Sequence, residues 1–190
     1  GGLGLLTDLE RMATIAWRSE GLALVLIGET FGWLGCSLYL REVCGREEGA
    51  PPPVDLATER RHGELVRALC EQGLVEACHD LSDGGLGVAL AETAFAGGFG
   101  VEVGLKKVST PEAMRADQIL FSETPSRFLV TVHPEQRESF ESIFAGQTLS
   151  LIGEVTQAPV LRVSGLGDEL LVDENIDALK AAWQAPLKEM

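Results

Sequence analysis

From Leu74 to Phe95 the chain passes from a short apolar run, through a turn of Asp80, Ser82, Asp83, Gly84 and Gly85, into a helical repeat, and few architectures accommodate that order. Leu74, Val75 and Ala77 read as the end of a buried strand. Leu86, Val88, Ala89, Leu90, Ala91, Ala94 and Phe95 carry the mixed three- and four-residue spacing of a well-buried helix. Ser82 or Asp83 is a natural N-cap for that helix, and two glycines allow a ligand or another backbone to come close. A helix start presents unpaired N–H groups and a partial positive charge, which suits phosphate. Two aspartates repel a bare phosphate but hold one bridged by a divalent cation. Strand, acidic turn and glycine-rich helix start therefore describe a metal–nucleotide corner. A purely architectural reading stands beside it: Asp and Ser commonly cap helices, and Gly-Gly can serve close strand–helix packing alone.

The remaining pattern supports a mixed α/β domain. Residues 3–20 have helical apolar spacing, with Gly21 as the stop, and Leu22–Ile27 is short and apolar enough for a buried strand. Gly35–Val43 reads as a brief helix. Pro51, Pro52 and Pro53 mark a linker, since three prolines cannot join a helix or a sheet interior. Asp55 caps a helix running to Gln72, with Leu56, Leu65, Val66 and Leu69 inward and Gly73 as the stop. Strands are expected at 100–105, 128–132, 148–155, 160–163 and 169–172. Helices are expected at 82–96, 111–117, 134–144 and 176–183. This order gives a mixed β-sheet covered by helices, an α+β fold in the form of a layered α/β sandwich. Right-handed crossovers place the Asp80–Gly85 turn at the carboxyl end of its strand, where ligands sit in open sheets. The prolines suggest a division into residues 1–53 (the tail of a preceding domain plus connector), 54–165 (the folded domain) and 166–190 (a terminal strand and helix).

Fifteen basic against 29 acidic residues leave a net charge of −14, which argues against nucleic acid or an anionic membrane as a partner. No run approaches the ~20 apolar residues of a membrane span, and the expected location is cytoplasmic. The four cysteines and three histidines show no zinc spacing. Cys78 and His79 adjoin in sequence, but neighbours on a strand face opposite ways, so they form no nucleophile–base pair. The chain opens on Gly1 in mid-pattern, as a piece of a longer protein would.

Four segments carry a family resemblance. His79-Asp80-Leu81-Ser82-Asp83-Gly84-Gly85-Leu86, with Val88-Ala89-Leu90-Ala91-Glu92, resembles the last domain of the phosphoribosylformylglycinamidine synthases. Gly1-Gly2-Leu3-Gly4-Leu5-Leu6 looks like the end of that family's preceding ATP-binding domain. Leu26-Ile27-Gly28-Glu29-Thr30 with Leu34-Gly35-Cys36-Ser37-Leu38-Tyr39-Leu40 looks like its connection into the last domain. Cys36 stands where the pattern leads one to expect a second Gly. Leu120-Phe121-Ser122-Glu123-Thr124-Pro125-Ser126-Arg127 resembles its Ser-Glu-x-x-x-Arg segment.

The resemblance implies the fold of the C-terminal domain of the aminoimidazole ribonucleotide synthetase superfamily. It also implies the ligase chemistry of purine biosynthesis, in which ATP activates a formamide oxygen and ammonia from glutamine displaces phosphate to give an amidine. It implies Mg²⁺ at Asp80 and an ATP or ADP nucleotide at Ser82, Gly84 and Gly85, with Asp83, Ser122, Glu123 and Arg127 as pocket-lining candidates. Glu123 and Arg127 have a second reading as an i, i+4 ion pair worth only about 0.3–0.5 kcal/mol. His79 reads as a hydrogen-bonded core histidine rather than a base. The partners implied are the preceding domains of the same polypeptide, a glutaminase subunit and a small bridging subunit, as in the small form of the family. A truncated large form is the other option. This stretch alone is expected to be inactive. Two rival readings are a thiamine-monophosphate kinase-like member of the superfamily, which shares an Asp-x-Ser-Asp-Gly turn, and a non-catalytic scaffolding domain.

Overall fold

The computed structural model describes residues 4–6 and 8–188. Alternation of apolar side chains dictates a sheet buried on both faces. In β1 (Ala23–Ile27), Leu24 and Leu26 point into one core and Val25 and Ile27 into the other. Each such fully buried side chain contributes about 1.5–3 kcal/mol of hydrophobic stabilisation. The other strands are β2 (Ala77–Asp80), β3 (Gly100–Gly104), β4 (Phe128–Val132), β5 (Leu149–Thr156), β6 (Val160–Ser164) and β7 (Leu170–Asn175). They form one seven-stranded sheet in the order β2-β4-β1-β5-β3-β6-β7, antiparallel at every pairing except β3 with β6.

Helices lie on both faces. The helices α2 (Gly85–Gly97), α3 (Ala116–Phe121) and α5 (Ile176–Lys188) cover the larger core, which holds Trp17, Leu86, Leu90 and Ile176. On the opposite face, α1 (Leu56–Glu71) and α4 (Arg137–Ile143) bring Val66, Leu69 and Phe140 onto Val130 and Val132. The result is the mixed, layered α+β architecture expected.

Several elements formed where the sequence placed them. Asp55 caps α1, its carboxylate accepting from the N–H groups of Ala57 (2.9 Å) and Thr58 (3.3 Å) and from Thr58 Oγ1 (3.0 Å). The Thr58 hydroxyl, then the two backbone N–H groups, hold that carboxyl below the ordinary aspartate range. Leu56, expected inward, is 77% exposed because it occupies the first helical position, ahead of the face that meets the sheet. The strand expected to end at Ala77 instead begins there and runs to Asp80. The short helix expected over 111–117 starts at Ala116, where the Gln118 side chain accepts from the Arg115 N–H (3.1 Å). The brief helix expected over 35–43 is a single wide turn, Tyr39–Val43, whose Tyr39 ring stacks on Phe121 with centroids 4.9 Å apart.

The helix expected over residues 3–20 does not form among the described residues; Gly1–Leu3 and Thr7 lie outside them. A single 3₁₀ turn, Leu9–Arg11, is followed by extended chain. Thr14 bridges in parallel to Ala77, and its carbonyl accepts from the Cys78 N–H (2.9 Å), so a sheet-edge hydrogen bond replaces a helical one. Leu5 and Leu9, which gave the segment its helical spacing, are 92% and 72% exposed, while Trp17 is buried beneath Gly97. Nor does the boundary expected at Pro51–Pro53 separate the preceding segment from the domain. β1 comes from before the prolines yet pairs with β4 on one side and β5 on the other, well inside the sheet.

Candidate functional site

Strand register brings the sequence candidates to one end of the sheet. Asp80 ends β2 opposite Phe128, which begins β4; Phe128 faces Ile27 at the end of β1, and Ile27 faces Leu149 at the start of β5. The Asp80–Gly85 turn, the Ser122–Arg127 turn and the Gly28–Trp33 loop therefore share this end. Strand spacing sets β1 about 10 Å from β2.

Asp80 projects from the edge strand, its side chain 67% exposed. Ser82 and Asp83 are exposed beside it. Behind them, His79 Nε2 pairs with Glu92 Oε2 (2.9 Å), and Glu92 Oε1 accepts from Trp183 Nε1 (3.1 Å), which ties α5 to the strand. His79 Nδ1 lies 3.5 Å from Asp80 Oδ1 without hydrogen-bond geometry. His79 is thus the hydrogen-bonded interior histidine that the sequence suggests. Cys78 turns to the opposite face, against the α1 core, so the two neighbours do not meet.

Neither Ser82 nor Asp83 caps α2. The capping position is Gly84, at φ 75°, and its N–H donates to Glu123 Oε1 (2.9 Å). The same carboxylate oxygen accepts from the Leu38 N–H (2.9 Å). An internal anion from 39 residues away thus occupies the helix start where a phosphate was expected. The N–H of Gly85 donates to Ser82 O (3.0 Å). Gly85 sits at φ 60°, and a Cβ there would lie 2.3 Å from Ser122 O. The two glycines therefore serve a left-handed turn and close packing against the end of α3, and their N–H groups are taken. This corrects the expectation that Gly84 and Gly85 present open donors to a nucleotide.

The Ser122–Arg127 turn differs from expectation in the same direction. Ser122 is 0% and Arg127 1% exposed, so neither lines an open pocket. Arg127 makes no ion pair with Glu123. Its Nε donates to Thr124 O (2.9 Å), Nη1 to Thr30 Oγ1 (3.0 Å) and Nη2 to Ser122 O (2.6 Å). Burial pulls its pKa down to about 9, which leaves it charged at neutral pH. The Leu81 N–H donates to Arg127 O (3.0 Å), joining this turn to the acidic one.

Cys36, at the position where a Gly was expected, has φ 59°, a left-handed conformation that favours glycine. Its thiol reaches Gly49 O at 3.2 Å, closing the connector loop.

A cleft of about 410 Å³ opens at the same sheet end, with Glu29, Phe31, Trp33, Asp55, His62 and Ser126 among its walls. Sequence reasoning missed it. Four separate segments build it, and only the apolar-aromatic Phe31-Gly-Trp33 step after β1 hinted at an exposed wall. Among the described residues no three acidic, His or Cys groups converge as a self-contained metal site, and no helix is long and apolar enough to cross a membrane.

Residues 19–185 match the family of AIR synthase related proteins, C-terminal domain. The chain belongs to that family. Among curated relatives, the phosphoribosylformylglycinamidine synthase subunit PurL of Bradyrhizobium diazoefficiens is 44% identical over 187 residues, 98% of this chain and 23% of that protein. The corresponding subunit of Nitrobacter hamburgensis is 55% identical over 133 residues, 70% of this chain and 17% of its own length. The chain thus spans less than a quarter of the length of these curated relatives. Of solved structures, Thermotoga maritima PurL complexed with FGAR superposes with a TM-score of 0.77 and 26% identity, covering 90% of this chain and 30% of that one. The resemblance read from the four segments is borne out, and the thiamine-monophosphate kinase-like reading is not favoured.

Proposed function

We propose that this chain is the C-terminal portion of a phosphoribosylformylglycinamidine synthase. The intact protein would use ATP and glutamine-derived ammonia to convert formylglycinamide ribonucleotide to its amidine. The observation that carries this reading is the 44% identity to a PurL subunit over nearly the whole chain, supported by the match to a PurL complexed with FGAR. Preceding domains of the same polypeptide, a separate glutaminase subunit and a small bridging subunit are the partners proposed. Cys78 and His79 face opposite sides of the sheet and form no nucleophile–base pair, and on this reading the stretch serves as one wall of a nucleotide cleft and is inactive alone. Amidine formation by residues 1–190 with ATP and ammonia would overturn that division of labour.

Within this reading Asp80 would hold Mg²⁺, with Ser82 toward a phosphate or sugar oxygen and Asp83 as a second carboxylate. The residues fit such an ion. Mg²⁺ is bound by one or two carboxylates plus phosphate oxygens and water rather than by an all-protein cage. The turn offers two exposed carboxylates and no third ligand from His, Cys, Asp or Glu. When bound, the ion would supply charge neutralisation for an anionic nucleotide on a chain of net charge −14.

Calorimetric titration of Mg-ADP against the intact synthase tests the assignment. Asp80→Asn keeps shape and one acceptor but loses the charge facing the ion, and it is expected to abolish Mg²⁺-dependent binding at this site. Ser82→Ala is expected to weaken binding by about 1 kcal/mol. Unchanged affinity in Asp80→Asn would leave the scaffolding reading in place.

A further inference from the structure

The cleft bounded by Glu29 and Phe31 has a composition suited to a different ligand from the one proposed at Asp80, and the argument for it does not depend on that reading. Its walls are fixed. Gly28, at φ 90°, donates its N–H to Thr148 O (3.0 Å), and a Cβ there would lie 2.8 Å from Ser126 O. Thr30 N–H is held by Ser109 O (3.0 Å) and Phe31 N–H by Thr124 Oγ1 (3.2 Å), so the loop carrying Glu29 and Phe31 is pinned on either side of each. Phe31 stacks on Trp33 with centroids 4.8 Å apart and planes 11° from parallel, yet remains 40% exposed. Across the cleft, His62 Nδ1 meets Ser126 O at 2.8 Å and therefore carries its hydrogen there.

The charges are one-sided. Glu29 is half-buried and has no hydrogen-bond or ion-pair partner among the described residues, while Asp55 adds a second carboxylate committed to its helix cap. Among the described residues no lysine or arginine lines the space. The lining therefore disfavours phosphate and carboxylate ligands and favours a cation with N–H donors. A half-buried, unpaired carboxylate has lost solvation without gaining a partner, so a ligand that pairs with it recovers that cost. The exposed aromatic surface beside it selects among cations. An ammonium is compact and strongly hydrated, whereas a guanidinium is planar, stacks on an aromatic face and meets a carboxylate through two parallel N–H donors.

We infer that this cleft is a receptor for a guanidinium group, held edge-on by Glu29 and face-on by the exposed aromatic pair. The group could arrive on an arginine side chain of another polypeptide segment or on a free guanidinium compound, and the chemistry recognised is the same.

The test uses the 190-residue chain and Trp33 emission, with calorimetry as the second readout. Trp33→Phe identifies the signal against Trp17 and Trp183. The probes are N-acetyl-arginine amide, its uncharged isostere N-acetyl-citrulline amide, agmatine and a Gly-Arg-Gly peptide blocked at both ends. Saturable binding of the arginine amide is expected, with the citrulline amide at least about tenfold weaker, a difference of about 1.4 kcal/mol. Glu29→Gln should abolish that preference. Because Glu29 has no partner to lose, its melting temperature should match the parent, which separates lost binding from lost fold. Phe31→Leu should weaken the arginine amide severalfold while keeping its advantage over citrulline. Agmatine binding more tightly than the peptide would assign the site to a free compound, and the reverse to a polypeptide side chain. Absence of saturation through the millimolar range, equal binding of arginine and citrulline amides, or an unchanged affinity in Glu29→Gln would each overturn the inference.

Discussion

Two turns at one end of the sheet carry charged residues and put them to opposite uses. In the Asp80–Gly85 turn the carboxylates stand in solvent and make no hydrogen bonds among the described residues, while the N–H groups of Leu81, Gly84 and Gly85 beneath them are taken. In the Ser122–Arg127 turn the arginine is buried, and each of its three nitrogens donates to a protein oxygen. The second turn supports the first. Glu123 fills the start of α2, Ser122 O abuts Gly85, and Arg127 O holds Leu81. The lesson concerns how a charge motif is read: groups whose hydrogen-bonding capacity the fold consumes are architecture, and those left unspent are available for a ligand.

Substitutions that act differently on the two turns test this contrast. The largest expected effect is Arg127→Met, which strands three buried acceptors and should cost about 3 kcal/mol of unfolding free energy in urea titration. Arg127→Lys should recover little of that, since an ammonium cannot reach three separated oxygens. A loss below about 1 kcal/mol for Arg127→Met would show that the buried turn is no more structural than the exposed one. Next is Gly85→Ala, which places a Cβ at a left-handed φ and against Ser122 O. It should cost about 2 kcal/mol or more, through strain and separation of the two turns. The smallest effect on folding should come from Asp80→Asn, within about 0.5 kcal/mol of the parent, because no hydrogen bond is lost. A drop as large as that of Gly85→Ala would move Asp80 from the available to the architectural class.

The strands were legible because their side chains alternate between two apolar cores, and Leu24 to Ile27 shows this within four residues. The α1 cap was legible because Asp55, Ala57 and Thr58 are close in sequence. What escaped was non-local. The carboxylate that starts α2 comes from Glu123, and no local pattern distinguishes it from a capping Ser82 or Asp83. The segment before Trp17 has helical spacing, but its hydrogen-bonding partner is an edge strand some sixty residues later. The Glu29 cleft needed the same long-range knowledge, since strand register brings its walls together and periodicity is silent about register between distant strands.

The position of β1 bears on how the chain is made as well as how it stands. Its residues are synthesised well before those they pair with, since Ile27 meets Phe128 and Leu149, roughly a hundred residues or more downstream. At ordinary rates of synthesis those partners follow on the order of ten seconds later. During that interval a strand apolar on both faces, with unsatisfied edges on each side, has nothing native to pair with. Of the seven strands of this sheet, β1 therefore stays open to wrong pairing for the longest, and assistance in folding would count for most there.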